Sequence, residues 1–440
     1  MARGTACAGF LTVLALALTG CGAGQAGGEK DDARPAAPEG APAAFRLDHV
    51  GERDGQLTDL AALGPDDLWA SGYDQKNGEV TAGYLLRDTG GGWRRLPLPD
   101  ALAGLPYPPR LDAAGPDTLW ATGTTAEQNG TPVIARYQDG RWSTVTPPPA
   151  GNLLDLVAFG PDDVTLLQDP HLPDQDDGAG NITSDDRTRA AHWDGTRWTT
   201  TLLPSAATAL DGTSGDDLWA VGHRSKGPGI GGEGQEMTQT AAHHFDGSRW
   251  TTVDTPLRRF ADPVPPEAGA ALGTVFAVAP DEVYAYGRHS FNHGEVEDEP
   301  DDEEVRLRWD GERWRDLPEA EGACGTRPPL LLDGDTGTLH ENLWYQAADG
   351  PCYKVKRPEL PTGGEVGEGA RQGLALAEVA LVPGTDRIVG VGHIAVMQSG
   401  NPFSRPVTVH AARRPQRGPG PAGRRASTRA GRATRSSRWP

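Results

Sequence analysis

The stretch Gly64-Pro65-Asp66-Asp67-Leu68-Trp69-Ala70-Ser71-Gly72 returns along the chain as Gly115-Pro116-Asp117-Thr118-Leu119-Trp120-Ala121-Thr122-Gly123 and Gly215-Asp216-Asp217-Leu218-Trp219-Ala220-Val221-Gly222. Weaker copies lie at Gly160-Pro161-Asp162-Asp163-Val164 and at Ala279-Pro280-Asp281-Glu282-Val283-Tyr284-Ala285-Tyr286-Gly287. Between them stands a second motif: Asp139-Gly140-Arg141-Trp142, Asp194-Gly195-Thr196-Arg197-Trp198, Asp246-Gly247-Ser248-Arg249-Trp250 and Asp310-Gly311-Glu312-Arg313-Trp314, with Gly90-Gly91-Gly92-Trp93 in the first copy. Pro presets φ and Asp bonds its own backbone in the first turn. Asp-Gly supplies positive φ for a hairpin in the second. Each unit of about 50 residues therefore predicts four short strands, and a sheet that small must pack against its copies.

Working outward, clear units begin near Leu57, Arg110, Leu153, Ala207 and Leu272. A sixth spans Cys324 to Pro361 with Leu343-Trp344 as its strand, and a seventh spans Leu374 to Ala411 with Ile388-Val389-Gly390-Val391-Gly392 in the Trp-Ala place. The expectation is an all-β propeller of four-stranded blades over residues 45–412, seven-bladed, with six or eight left open by the two faint units. The seventh unit lacks an Asp-Gly-x-Trp strand, so Phe45 to Val50, which belongs to no unit, is expected to close the ring as its outer strand.

Composition agrees. The 440 residues include 59 Gly and 38 Pro, only 37% are hydrophobic, and the net charge is −20. Such a chain has many turns rather than long helices, and its acidity disfavours a nucleic-acid partner.

The repeats resemble those of the secreted β-propeller lipoproteins of high-GC Gram-positive bacteria, built from Gly-x-Asp-Asp-x-Trp-Ala-x-Gly and Asp-Gly-x-x-Trp units. The resemblance covers about residues 45–411 and implies fold and location, without residue-level chemistry.

Residues 1–20 read as an export signal, with Arg3 before an apolar core from Phe10 to Leu18 that is too short to span a bilayer. Leu18-Thr19-Gly20-Cys21 resembles the bacterial lipobox, which implies a lipid on Cys21; an ordinary secretory signal is the alternative. Residues 21–44 read as a flexible tether. The expected location is then the outer face of the cytoplasmic membrane, held through the lipid alone. Cys324 and Cys352 remain in the exported part, where a disulfide is the default and a metal pair the weaker alternative. Residues 413–440 hold nine Arg and no acidic residue. That segment reads as a basic arm, as a disordered tail, or as the product of a frame shift that also removed a last strand.

In a four-stranded meander the second-to-third loops and the blade-to-blade connections share one face, and here these vary while the other turns are uniform. Binding is expected on that face, with Tyr73, Tyr107, His223 and Phe291 as candidate ligand contacts. Two of its loops are acidic. Asp174, Asp176 and Asp177 in one, and Glu295 and Asp298 in the other beside His289 and His293, are candidate Ca²⁺ ligands. A merely solvated loop is the stronger reading, so no cofactor is expected. Gly227-Pro228-Gly229-Ile230-Gly231-Gly232 and His243-His244 read as a loop and a structural pair. The periodic Trp residues read as core. First strands such as Leu60-Ala61-Ala62 look small and apolar, which favours a monomeric binding module for an envelope glycan or protein over a polysaccharide-cleaving enzyme with paired carboxylates.

Overall fold

The computed structural model describes residues 41–413 apart from 127–129, 171, 173–174, 177–181, 184–185, 232–235, 295–298, 319–321, 326 and 349. Cys21, Asp174, Asp177, Glu295, Asp298 and nearly all of the signal, tether and basic tail lie outside these residues.

Seven four-stranded antiparallel sheets follow one another along the chain. Blade 1 comprises Gly55–Gly64, Asp67–Lys76, Glu79–Asp88 and Trp93–Pro97, blade 2 Arg110–Ala113, Thr118–Thr124, Pro132–Gln138 and Arg141–Val145, and blade 3 Asn152–Gly160, Asp163–Asp169, Arg189–Trp193 and Trp198–Leu202. Blade 4 comprises Ala206–Ser214, Asp217–Arg224, Gln239–Phe245 and Trp250–Val253, and blade 5 Gly269–Ala279, Glu282–Ser290, Glu303–Trp309 and Trp314–Asp316. Blade 6 is shorter, with Pro329–Leu332, Gly337–His340, Trp344–Ala347 and Cys352–Lys354. The first strand of each blade is the innermost. In blade 7 the order from inside is Arg371–Leu381, Arg387–Met397, Phe403–Ala412 and then Arg46–Val50. The N-terminal strand pairs antiparallel with Phe403–Ala412, Arg46 opposite His410 and Val50 opposite Val407. The ring therefore closes as expected.

The repeated residues each have a physical task. Trp69, Trp120 and Trp219 are fully buried and reach into the next blade. Trp69 packs 4.9 Å from Tyr137 and 5.8 Å from Trp142, while Trp219 packs 4.9 Å from Trp309 and 5.1 Å from Trp314. The Trp120 indole donates to the Gly160 carbonyl at 3.0 Å. The Gly that ends the motif faces the first strand next to a β-bulge, where a Cβ on Gly222 would lie 2.4 Å from the Ala206 carbonyl oxygen. Only Gly fits so close an approach. In the other turn Asp246 accepts from the Ser248 hydroxyl at 2.6 Å and from the Arg249 and Ser248 amides at 3.0 and 2.9 Å, an Asx turn in which these bonds, the hydroxyl's first, hold its carboxyl down at about 2.

The innermost strands are less apolar than they read. Asp59 accepts from its neighbour Leu60 at 2.8 Å and from Leu111 of blade 2 at 3.0 Å. Asp112 of blade 2 takes the Ala158 amide of blade 3 at 2.7 Å, Asp155 of blade 3 takes Leu210 of blade 4 at 2.9 Å, and Asp211 of blade 4 takes Ala277 of blade 5 at 2.9 Å. All four are buried. These carboxylates staple blade to blade by satisfying buried amides.

Three readings change in the closing arc. Leu343 and Trp344 do not form the second strand of blade 6; Trp344 opens the third, because Asn342 and Leu343 both take left-handed φ (56° and 61°) and turn the chain before it. Residues 41–44, read as the end of the tether, sit on blade 6: Ala41 is buried, Tyr353 donates to the Pro42 carbonyl at 3.0 Å, and Ala44 bridges to Lys356. Arg413, read as the first residue of a loose tail, ion-pairs with the fully buried Asp333. Cys324 and Cys352 form the disulfide, with Cα atoms 5.9 Å apart, tying the approach to blade 6 to its outer strand.

Candidate functional site

The strand ends of blades 4, 5 and 6 on the variable face surround an open groove of about 740 Å³. Blade 4 contributes His223 at the end of its second strand and Thr238 before its third. Blade 5 supplies Glu267 ahead of its first strand, Arg288, Ser290, Phe291 and Asn292 from the end of its second, and Glu304 from its third. Glu341 closes the groove from blade 6. Residues more than 100 positions apart meet here only because consecutive blades present equivalent strand ends to the same face.

The electrostatics lean negative, with three carboxylates against Arg288. The Arg288 guanidinium lies 3.7 Å from Glu304 and 3.9 Å from Asp302. Burial pushes the Glu304 carboxyl up, opposed by Arg288 and Arg306 and reinforced by the charge of Glu341. Burial lowers His223 against the pull of Asp186, so its ring is neutral at pH 7. Glu267 holds φ at +55°, a left-handed backbone that a long side chain rarely adopts.

Under the groove, His289 is fully buried between two glutamates, Nε2 3.1 Å from Glu236 and Nδ1 2.8 Å from Glu303. Its ring stacks on Phe260 at 3.9 Å, and Phe260 meets Phe291 edge-on at 5.5 Å. Glu236 also accepts the Phe260 amide at 3.0 Å. This layer pins the long connection from blade 4 to blade 5 and fixes the Phe291 ring in the groove wall.

Of the four candidate ligand contacts, the structure brings His223 and Phe291 together and leaves two elsewhere. Tyr73 lies on blade 1, bonded through its hydroxyl to Gln56, and Tyr107 is exposed on the connection to blade 2. His289 is a buried strand residue rather than a loop ligand, and His293 is engaged by Glu299 and Asp302 at 3.0 Å each, which raises its pKa. Asp176 falls on a small hairpin, Gln175–Asp176 against Ile182–Thr183. Among the described residues no group of three or more His, Cys, Asp or Glu is placed to hold a metal ion. Glu267, Arg288 and Glu341 escape sequence reading, for each is an ordinary charged residue at a strand end. The left-handed Glu267 carries no sequence mark.

No family model and no curated protein matches the chain. Among solved structures it is similar to the β-propeller domain of the Trilobed protease from Pyrococcus furiosus, at 10% identity and a TM-score of 0.45 over 80% of this chain and 95% of that one. It is also similar to the N-terminal domain of Nup159 (10% identity, TM-score 0.41, 86% and 98% covered) and to the fucose-specific lectin from Aleuria aurantia (11%, 0.31, 59% and 77%). These likenesses concern the propeller fold alone.

Proposed function

We propose that this chain is an extracytoplasmic binding module, tethered to the membrane through a lipid on Cys21, whose groove across blades 4–6 takes a polyhydroxylated polymer of the cell envelope. The observation that carries the reading is the groove's lining. Tyr286 and Phe291, both largely buried, form an apolar wall beside hydroxyl, amide, guanidinium and carboxylate groups within one open cleft. Convergent donors and acceptors over an apolar wall suit sugars, and the surplus of carboxylates favours one that also bears amino groups. The lipobox-like Leu18-Thr19-Gly20-Cys21 supports the address. Titration of cell-wall glycan fragments against the full chain should give saturable heat, weakened about tenfold in Arg288→Ala through loss of charge-assisted bonds. Equal affinity in that variant would count against the groove.

One observation favours a second reading, an enzyme acting on polysaccharide. Glu304, a carboxyl that burial pushes up, lines the same cleft as a second carboxylate, Glu341, and acid-assisted glycoside cleavage uses two carboxyl groups. Reducing ends released by the parent chain and lost in Glu304→Gln would establish it. Binding without release leaves the module reading in place.

A further inference from the structure

A second cavity of about 360 Å³ opens between blades 3 and 4, on the same face as the groove. Successive strand residues point to opposite sides. Accordingly His223 faces the groove while Arg224, next along the strand, lines this pocket. Arg187, Arg224 and Lys226 bring three cations to it, and Ser205, Ser225 and Thr252 bring three hydroxyls, in a chain whose net charge is −20. One carboxylate also lines the pocket: Asp186 accepts from Ser225 at 2.9 Å and lies 3.8 Å from His223 of the groove, while Asp254 interacts with Arg224.

The Arg224 guanidinium is held in plane by donating to the Lys226 carbonyl at 2.9 Å and the Pro228 carbonyl at 2.8 Å. Those bonds use two of its five N–H donors. At the pocket floor the buried Ser205 hydroxyl lies 2.9 Å from Nε2 of the fully buried His243, whose Nδ1 is 3.3 Å from the Thr252 hydroxyl. The equivalent position is Leu86 in blade 1 and Leu307 in blade 5, so a polar ring here replaces what is elsewhere core.

We propose that this pocket is a subsite for a phosphate group. The Ser225 and Thr252 hydroxyls are spent on Asp186 and on Nδ1 of His243, which leaves two guanidinium groups, an ammonium and the Ser205 hydroxyl around the pocket; cations on several sides suit a tetrahedral phosphate better than the two coplanar oxygens of a carboxylate. With Nε2 protonated, His243 donates to Ser205 and turns the serine O–H toward the anion; the buried imidazole sets the hydroxyl and stays out of the ligand's reach. The same pair is a poor nucleophile and base. Burial pushes His243 down to about 4, and its other nitrogen meets a hydroxyl instead of an orienting carboxylate. The assignment stands whatever fills the groove.

The test is titration of the full chain with inorganic phosphate, dimethyl phosphate and acetate, followed by calorimetry and by the His243 ring signals in NMR. Saturable binding of either phosphate species, weakened about fivefold or more in both Arg224→Gln and Arg187→Gln and unchanged in the groove variant Arg288→Gln, supports the subsite. Tighter binding of the diester points to a polymer-borne phosphate, and tighter binding of the inorganic ion to a free one. Perturbed His243 ring signals in the parent and not in Ser205→Ala place the anion at the pocket floor. Melting temperatures matching the parent confirm that the variants are folded. No binding, binding indifferent to both arginine variants, or acetate bound as tightly as phosphate would overturn it.

Discussion

From blade 1 to blade 5 each inner strand hands a carboxylate to the next, through Asp59, Asp112, Asp155 and Asp211, and each motif Trp lies in the seam. From blade 6 round to blade 1 the ring carries additional ties. A large apolar cluster spans blades 6 and 7 and includes Ala41 and Phe45 of the N-terminal segment. The disulfide, the Arg413–Asp333 pair and the hydrogen-bonded Arg46–Val50 strand complete it. The difference shows why five units are plain in the sequence and two are faint. A repeat that uses the same polar staple must repeat the same letters, while an apolar seam accepts any side chains that fill the space.

Removing the closing strand should break this contrast hardest. Deletion of residues 41–50 strips Ala41 and Phe45 from the core and leaves Phe403–Ala412 as an open edge, so the melting temperature should fall by about 10 °C or more. An unchanged melt would refute the closure. Next in size is the disulfide. Its 28-residue separation gives about 3.5 kcal/mol of chain-entropy stabilisation, to be read from denaturant curves of Cys324→Ser with Cys352→Ser. Within the stapled arc, Asp155→Ala orphans the Leu156 and Leu210 amides and should cost about 2–4 kcal/mol by the same curves. Asp155→Asn, which keeps one acceptor, should lose less.

Acid should act on both arcs alike. Burial lowers His243 in blade 4 and His340 in blade 6 from 6.5 to about 4. A depressed histidine is neutral in the fold and takes up a proton more readily when unfolded. Its share of stability is therefore present above 6.5 and falls away as the pH drops toward 4, by at most about 1.4 kcal/mol per pH unit for each ring. His243→Gln and His340→Gln should each flatten the melting profile over that window, and a profile as steep as the parent's would contradict the assignment. The smallest effect is expected at the groove. Glu267→Gly relieves the left-handed backbone and should stabilise the chain by about 1 kcal/mol while weakening glycan binding.

Much of the fold is legible before any coordinates. Trp and Asp-Gly recur because their tasks, seam packing and hairpin reversal, are set by local geometry. The Asp staples are harder to see. Asp59 stands beside Leu60-Ala61-Ala62 and looks like a solvent-facing strand residue, since its partner amide is on Leu111, 52 residues on. Blade 6 misleads for a related reason, its Leu343 forming part of a left-handed turn with Asn342 where other units carry a Pro-Asp turn. For the groove, the choice of face is readable from loop variability and delivers His223 and Phe291. Tyr73 and Tyr107 have the same local character on other blades, and what separates them is blade neighbourhood, a property of the closed ring.

Amide hydrogen exchange with and without cell-wall glycan fragments addresses the central claim most directly. Slowed exchange confined to residues 223, 238, 267–274, 286–292 and the 341–343 turn is the result expected of a polymer seated across blades 4–6. Protection on the uniform-turn face, or exchange unaltered at saturating glycan, would contradict it.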